Sequence, residues 1–216
     1  IFITKQKKKI MQDLNELARK IHNNAKAKGF YNYENADGFL QHQLFEIKKE
    51  LGEASEAHKK QKFADVQGFQ DSVNEYFGTS KIDFEDKISA GAWNERFEYF
   101  VKDTFEDELS DVKVRKLDLA AWQKLDLDCL SVYDSFEMKS KYSVSKYLNK
   151  ICKVCDKIER QSKKEKSSCY VVSYYAVKGL MMVDEIANYF KIDLDKHIEL
   201  KMQYNSLRAK LHGKQY

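Results

Sequence analysis

The chain has 216 residues, no proline and 8 glycines, and hydrophobic residues make up 43% of it. That length suits one domain or two small ones, and the scarcity of turn-forming residues argues against an all-β fold. Charged residues at 33%, with a net charge of +4 and both signs interleaved, argue against a membrane protein and against a specific nucleic-acid-binding protein.

The N-terminal stretch IFITKQKKKI makes a poor signal peptide, because its apolar part is short and its lysines follow that part. We therefore expect a cytoplasmic protein with reduced thiols. The cysteines are Cys129, Cys152, Cys155 and Cys169. Cys152 and Cys155 have CxxC spacing without a second such pair, which favours buried helix thiols. A zinc site that borrows another cysteine or a histidine is the alternative.

Apolar residues recur at spacings of three and four along most of the chain, which predicts helices. The core helices are predicted at about 8–28, 39–61, 104–122 and 194–211. Asp103 and Thr104 are suited to cap the third of these. One or two short helices are predicted within residues 62–104, which are rich in aromatic side chains.

A further helical pair is predicted within an insertion at about 129–190, from apolar stripes that run from Val144 to Ile158 and from Cys169 to Phe190. The polar run from Gln161 to Ser168 reads as a solvated loop. No stretch has the composition of an interdomain linker, so we expect a single all-α domain over residues 1–216.

A row of polar side chains accompanies the apolar stripe of the second core helix. The row consists of Gln43, Glu46, Glu50 and Glu53. Spacings of three and four place these residues on one helix face, at the edge of the core. Alanines, not lysines, stand four residues after Glu50 and Glu53, so the usual i,i+4 neutralising partner is missing.

The third core helix carries a similar row beside its own apolar stripe. That row consists of Glu108, Asp111, Arg115 and Asp118. If the two helices pack together, their carboxylates crowd one space, which requires a cation or raised pKa values. Ligands that are all oxygen suit Mg²⁺, with Mn²⁺ as the alternative ion. With 34 acidic residues in the chain, two ordinary solvated helix faces are the alternative.

The last core helix carries a complementary row of amide and basic side chains. The row consists of Lys201, Asn205, Arg208 and His212, at positions i, i+4, i+7 and i+11. Such a row beside a metal cluster would bind a polyphosphate. Ordinary charges at the end of a basic C-terminal helix are the alternative.

Three motifs occur in order along the chain: Glu50-Leu-Gly-Glu53, Asp107-Glu-Leu-Ser-Asp-Val112 and Lys201-Met-Gln-Tyr-Asn205. Together they resemble the ExxE, ExxD and KMxxN segments of MazG-like all-α nucleoside triphosphate pyrophosphohydrolases, the superfamily of dCTP pyrophosphatase and dimeric dUTPase. The resemblance covers roughly residues 40–61, 102–128 and 186–216.

The resemblance implies a four-helix-bundle core, to which the helical pair is an insertion, and a homodimer or higher homo-oligomer. It also implies hydrolysis of a nucleoside triphosphate, either a deoxynucleotide or a non-canonical one, to the monophosphate and pyrophosphate. The implied metal ligands are Glu50, Glu53, Glu108 and Asp111. Lys201 and Asn205 would contact phosphate or nucleoside, and Arg208 is a further candidate.

Catalytic carboxylates are expected at Glu46, Glu50 and Glu53. Glu46 is the first choice to orient or deprotonate the attacking water, and Glu53 the second. Aromatic residues before the third helix would either stack on the base or, as we favour, belong to the core. These residues are Trp93, Phe97, Tyr99 and Phe100.

Three other functions fit parts of the pattern. A Nudix hydrolase would require an arginine and an adjacent second glutamate that this sequence does not have at its glutamate-rich helix. A di-iron bundle would require Glu-x-x-His pairs, which the sequence also lacks. A non-catalytic helical module that binds a nucleotide or another protein would have much the same sequence, and it stays the main alternative.

Overall fold

The computed structural model describes residues 2–32, 34–35, 38–78, 81–127, 140, 144–163 and 169–208, with side chains from Leu14 onward. These residues form helices and no strand, so the all-α prediction is confirmed. The helices are α1 (Phe2–Ala27), α2 (Phe39–Lys59), α3 (Val66–Phe77), α4 (Lys87–Phe100), α5 (Phe105–Trp122), α6 (Val144–Ser162), α7 (Cys169–Phe190) and α8 (Leu194–Leu207).

The four predicted core helices correspond to α1, α2, α5 and α8, and two short helices, α3 and α4, lie between α2 and α5. The predicted helical pair corresponds to α6 and α7. Helix α6 extends to Ser162, inside the stretch expected to be a loop. Cys129, His212 and the rest of that loop, residues 164–168, lie outside the described residues.

Helix α5 lies at the centre of the described structure, because α1, α2, α7 and α8 all pack against it. Twelve of its 18 residues are buried. A surface helix buries only one apolar stripe, whereas α5 also buries charged side chains. These are Glu106, Asp107, Glu108, Lys113 and Lys116. Burying a charge without a partner is costly. Neighbouring helices supply partners for two of these charges, since Asp107 pairs with Lys201 and Lys113 pairs with Asp184 and Asp195.

The main core lies between α2, α5, α6 and α7, with Leu51, Leu109, Ile151 and Val183 among its buried members. A second cluster joins α1 to α5 and α7. The predicted helical pair therefore contributes to the same interior as the helices of the expected bundle, because α6 packs on α2 and α7 packs on α5.

A third, aromatic cluster joins α3 and α4 to α8. Trp93 and Phe97 are buried in it, and Phe97 stacks on the ring of Tyr204 with centroids 4.6 Å apart. Phe100 packs against this cluster, whereas Tyr99 is exposed. The core interpretation is confirmed for Trp93 and Phe97.

Helices α2 and α5 run antiparallel. At one end the rings of Phe39 and Trp122 have their centroids 5.0 Å apart, and at the other end His58 and Phe105 have theirs 5.0 Å apart. This pairing brings the carboxylates of the two predicted rows to the same level. Within the described residues, no helix is long and apolar enough to cross a membrane.

Candidate metal centre

Three carboxylates meet where α2 packs on α5. Glu50, Glu108 and Asp111 each offer one oxygen, and these oxygens all lie within 4.8 Å of one another. The spacing of three residues places Glu108 and Asp111 on one face of α5, and the antiparallel packing of α2 brings Glu50 opposite them. The structure thus joins three of the four predicted ligands.

Glu108 has no compensating partner within the part of the chain that the structure describes. Glu108 is only 6% exposed, and its Oε2 atom accepts no hydrogen bond from the described residues. Burial, and then the charges of Asp111 and Asp107, raise the pKa of Glu108 to about 9. A buried carboxylate without a donor is costly, so this position requires either a proton or a cation.

Glu53, the fourth predicted ligand, lies at the rim. Its side chain is 43% exposed, and one oxygen is 3.5 Å from the Nζ atom of Lys49. Lys49 stands four residues before Glu53, so the partner of Glu53 precedes it on α2 instead of following it. Burial raises the pKa of Glu50, Arg115 opposes this, and the neighbouring Glu53 raises the pKa further. Glu53 therefore lies beside the group of three without being part of it.

Arg115 connects the two acidic rows. Its Nε atom is 2.7 Å from Oε1 of Glu50, and its Nη2 atom is 3.2 Å from Oε2 of Glu46. The sequence places Arg115 in the row of α5 but does not predict its ion pairs with α2. Its guanidinium fixes Glu50 in place, and it engages Glu46, which was the first choice for activating water.

Lys201 lies beneath the same centre. This residue is 6% exposed, and its Nζ atom is 2.7 Å from Asp111 and 2.8 Å from Asp107. It was expected to contact phosphate, but in the described structure its ammonium group is buried between two carboxylates. Lys201 thus contacts the group of three carboxylates through Asp111.

Asp107 is the site residue that the sequence did not reveal. It is 1% exposed, and its Oδ2 atom accepts a hydrogen bond of 3.0 Å from the backbone N–H of Asp103. The Thr104 hydroxyl oxygen caps α5 by accepting from the N–H of Asp107, so Asp107 takes part in two hydrogen bonds at the start of α5. Burial raises the pKa of Asp107 to about 6, and Lys201 opposes the shift.

Asn205 and Arg208 follow Lys201 along α8. Asn205 is half-buried, one turn after Lys201. The backbone carbonyl of Arg208 accepts a hydrogen bond of 2.5 Å from Lys28, and its guanidinium lies 5.2 Å from the ring centroid of Tyr204. The end of α8 is therefore held to the end of α1.

A second group of carboxylates shares Glu108 with the first. It consists of Asp103, Asp107 and Glu108. Asp103 is exposed, adopts a left-handed backbone with φ 58°, and lies 3.4 Å from Lys102. Because Asp107 is already paired with Lys201, this group offers less free negative charge than the first.

The cysteines whose surroundings are described form no group with other metal ligands. Cys155 is buried in the main core, Cys152 is partly buried against it, and Cys169 is exposed. The interpretation of the CxxC pair as helix thiols fits these positions better than a zinc site does.

Carboxylates outnumber cations at the centre, since Arg115, Lys201 and the exposed Lys49 face the three joined ligands and the neighbouring Glu46, Glu53 and Asp107. Hard oxygen ligands of this kind suit Mg²⁺ or Mn²⁺. The residues present therefore fit a divalent cation. Comparisons of the chain with protein families, with curated proteins and with solved structures find no match.

Proposed function

We propose that this protein is a Mg²⁺-dependent hydrolase that cleaves a nucleoside triphosphate to the monophosphate and pyrophosphate. The observation that carries the proposal is the convergence of carboxylate oxygens of Glu50, Glu108 and Asp111 within 4.8 Å, together with a buried oxygen of Glu108 that has no hydrogen-bond partner among the described residues. The three ordered motifs that resemble MazG-like pyrophosphohydrolases supply the reaction class.

Glu50, Glu108 and Asp111 would hold the ion. When bound, Mg²⁺ supplies positive charge that neutralises the polyphosphate oxygens. Arg115 positions Glu50, and Lys201 positions Asp111, through the ion pairs described above. These contacts keep two of the three ligands in fixed orientations, which reduces the entropy lost when the substrate binds.

Glu53 is the best candidate to take the proton of the attacking water. It lies beside Glu50 and is more exposed than the three ligands, whereas Glu46 is engaged by Arg115. In this step the water oxygen forms a bond to the α-phosphorus, the bond from that phosphorus to the bridging oxygen breaks, and pyrophosphate leaves. Asn205 and Arg208, at the end of α8, are proposed to contact the nucleotide.

The test is the release of pyrophosphate from a panel of canonical, deoxy and damaged nucleoside triphosphates, with and without Mg²⁺. We expect turnover only with Mg²⁺. Asp111→Asn and Glu50→Gln should abolish it while the helical circular dichroism is unchanged. Glu56→Gln is the matched control, because Glu56 is an exposed residue of α2 that pairs with Lys60. Full activity of the Asp111 variant would contradict the proposal.

A non-catalytic module that binds nucleotide is the second candidate. It is favoured by the fact that Arg115 and Lys201 already pair with Glu50 and Asp111, as in a purely structural ion network. Two measurements together separate the candidates. Electron paramagnetic resonance measures the binding of Mn²⁺, and the turnover assay measures the release of pyrophosphate. Tight binding of Mn²⁺ and nucleotide without turnover on any substrate would replace the first candidate by the second.

A further inference from the structure

A groove of about 800 Å³ lies on the other side of α5, between α1, α7 and α8. Leu17, Ile192 and Met202 are among its apolar lining residues. The groove shares no lining residue with the metal centre, and nothing in the proposed function uses it. Its volume corresponds to about two turns of an α-helix with side chains.

The groove is acidic. Five carboxylates and two lysines line it. The carboxylates belong to Glu16, Asp184, Asp193, Asp195 and Glu199. One lysine, Lys113, is buried on the floor and pairs with Asp184 at 2.8 Å and with Asp195 at 3.3 Å. The side chain of Asp195 is nevertheless 82% exposed, so negative charge faces outward along an apolar surface.

The sequence of the same chain contains a segment of complementary charge and apolar character. The first half of α1, residues 2–13, reads FITKQKKKIMQD and carries four lysines against one aspartate. Opposite charges across an interface steer association and fix its register. An apolar groove that is rimmed by acids would accept a helix that carries lysines together with isoleucine and methionine.

The first half of α1 cannot enter the groove of its own chain. Helix α1 is continuous from Phe2 to Ala27, and its residues Leu14, Glu16, Leu17 and Lys20 line the groove. About 14 Å of helix axis separates Lys8 from Leu17, and a continuous helix cannot fold back onto its own later turns. Only another molecule can therefore place these turns there.

We propose that the groove is the docking site for the first half of α1 of a second copy of this chain. Antiparallel pairing of two α1 helices about a two-fold axis brings the basic half of each one to the groove-lining half of the other. The contact is then isologous, and both grooves are filled at once. This proposal is independent of the proposed function, because the metal centre lies on a different face of α5.

The test is the mass of the full chain in solution, measured by sedimentation over a range of protein concentrations at low and at high salt. We expect a dimer whose dissociation constant rises with salt, because exposed charge pairs are screened. The reversal Lys7→Glu/Lys8→Glu and the reversal Glu16→Lys/Glu199→Lys should each weaken the dimer by at least about tenfold.

An equimolar mixture of the two reversed chains provides the sharpest readout. One contact of the mixed dimer pairs the native helix with the native groove, and the other pairs two reversed surfaces. Dimerisation should therefore be stronger in the mixture than for either reversed chain alone. Glu85→Lys/Glu95→Lys is the matched control, because both residues are exposed near α4, away from the groove.

Two results would overturn the proposal. The first is a wild-type chain that stays monomeric at every concentration. The second is a dimer whose strength is unchanged by either reversal, which would assign the association to another surface. Loss of pyrophosphate release has no bearing on this outcome, so the two proposals fail separately.

Discussion

The ammonium group of Lys201 lies 2.7 Å from the Oδ2 atom of Asp111. The same group is 2.8 Å from the carboxylate of Asp107. One buried cation therefore pairs both with Asp111, a candidate metal ligand, and with Asp107, at the start of α5. Burial lowers the pKa of Lys201, but the charges of Asp111 and Asp107 outweigh burial and raise it. Lys201 is therefore a permanent positive charge beneath the centre.

Replacing this cation should destabilise the fold. Lys201→Met leaves Asp107 buried without its counter-ion, and removing one partner of a buried pair costs about 3–5 kcal/mol. The free energy of unfolding in urea measures the loss. The double variant Lys201→Met/Asp107→Asn should recover a large part of it. Lys49→Met, which removes an exposed cation beside Glu53, should cost less than about 1 kcal/mol. Equal losses for Lys201→Met and Lys49→Met would contradict the buried pairing.

Glu108→Gln should stabilise the metal-free protein while it abolishes binding of Mn²⁺. The pKa of Glu108 is raised to about 9 in the folded protein, whereas the unfolded chain loses this proton near its ordinary value of 4.5. The unfolded state therefore binds fewer protons between these pH values, and the contribution of Glu108 to stability falls as pH rises.

The advantage of the Glu108 variant should accordingly grow with pH, from nearly nothing at about pH 5 to about 1–3 kcal/mol at about pH 8. Thermal unfolding in a chelating buffer at the two pH values measures this difference. Glu56→Gln, at an exposed position of α2, serves as the control. An advantage that stays constant with pH would contradict the raised pKa of Glu108.

His197 should make the protein sensitive to acid. It is buried, its Nδ1 atom has no hydrogen-bond partner in the part of the chain that is described, and burial lowers its pKa to about 4. Below pH 6.5, the ordinary pKa of histidine, His197 binds a proton in the unfolded chain but stays neutral in the folded protein. Stability is therefore lost as pH falls from that value toward 4, by about 3 kcal/mol at most.

His197→Leu should remove this part of the acid dependence. Urea titrations at about pH 7 and about pH 5 should show a smaller difference for the variant than for the wild type. His42→Leu, at an exposed position of α2, is the control and should keep the wild-type difference. The same pH dependence in both variants would assign the acid sensitivity to other groups.

Lys116 should be replaceable with a gain in stability. It is buried between α5 and α7, and its Nζ atom has no hydrogen-bond partner among the residues whose placement is described. Burying a charge without a partner is costly, so Lys116→Leu should raise the free energy of unfolding by about 1–2 kcal/mol. Chemical denaturation measures the gain, and an unchanged or lower stability would contradict the unpartnered position.

Lys116 should also determine how much the substitution Gly179→Ala on α7 changes stability. A Cβ atom at Gly179 would collide with the Nζ and Cε atoms of Lys116. Alanine is favoured over glycine within a helix by about 1 kcal/mol, so Gly179→Ala should stabilise the Lys116→Leu background more than the wild type. A double-mutant cycle measures this coupling. If Gly179→Ala changed the free energy of unfolding equally in the wild type and in Lys116→Leu, the Lys116 side chain would move away from the new methyl group without loss of stability.

The helices follow from the sequence because most of them bury one apolar stripe. For α7 the stripe from Cys169 to Phe190 gives both ends of the observed helix. The approach of Glu50 to Glu108 and Asp111 was predictable for the same reason, since side chains at the edge of two packed stripes must meet.

The ion pairs were not predictable, because spacing fixes the face of a helix but not the reach of a long side chain. Lys201 was expected to point toward phosphate, yet it lies buried between Asp107 and Asp111. Asp107 stands between Glu106 and Glu108 and therefore looks like part of a solvated acidic run. Its spacing from Thr104 was the one signal of a cap, and that signal does not report burial.

The burial of charges along α5 also constrains when the protein can fold during its synthesis. The partners of Lys113 and Asp107 on α8 lie 82 and 94 residues away along the chain, so they leave the ribosome long after α5 does. Until then, Asp107 lacks its counter-ion Lys201 and Lys113 lacks Asp195. Contacts between residues so distant in sequence form slowly. We therefore expect the nascent chain to keep a hydrated centre until α8 is made, which is the interval in which a chaperone would be of use to it.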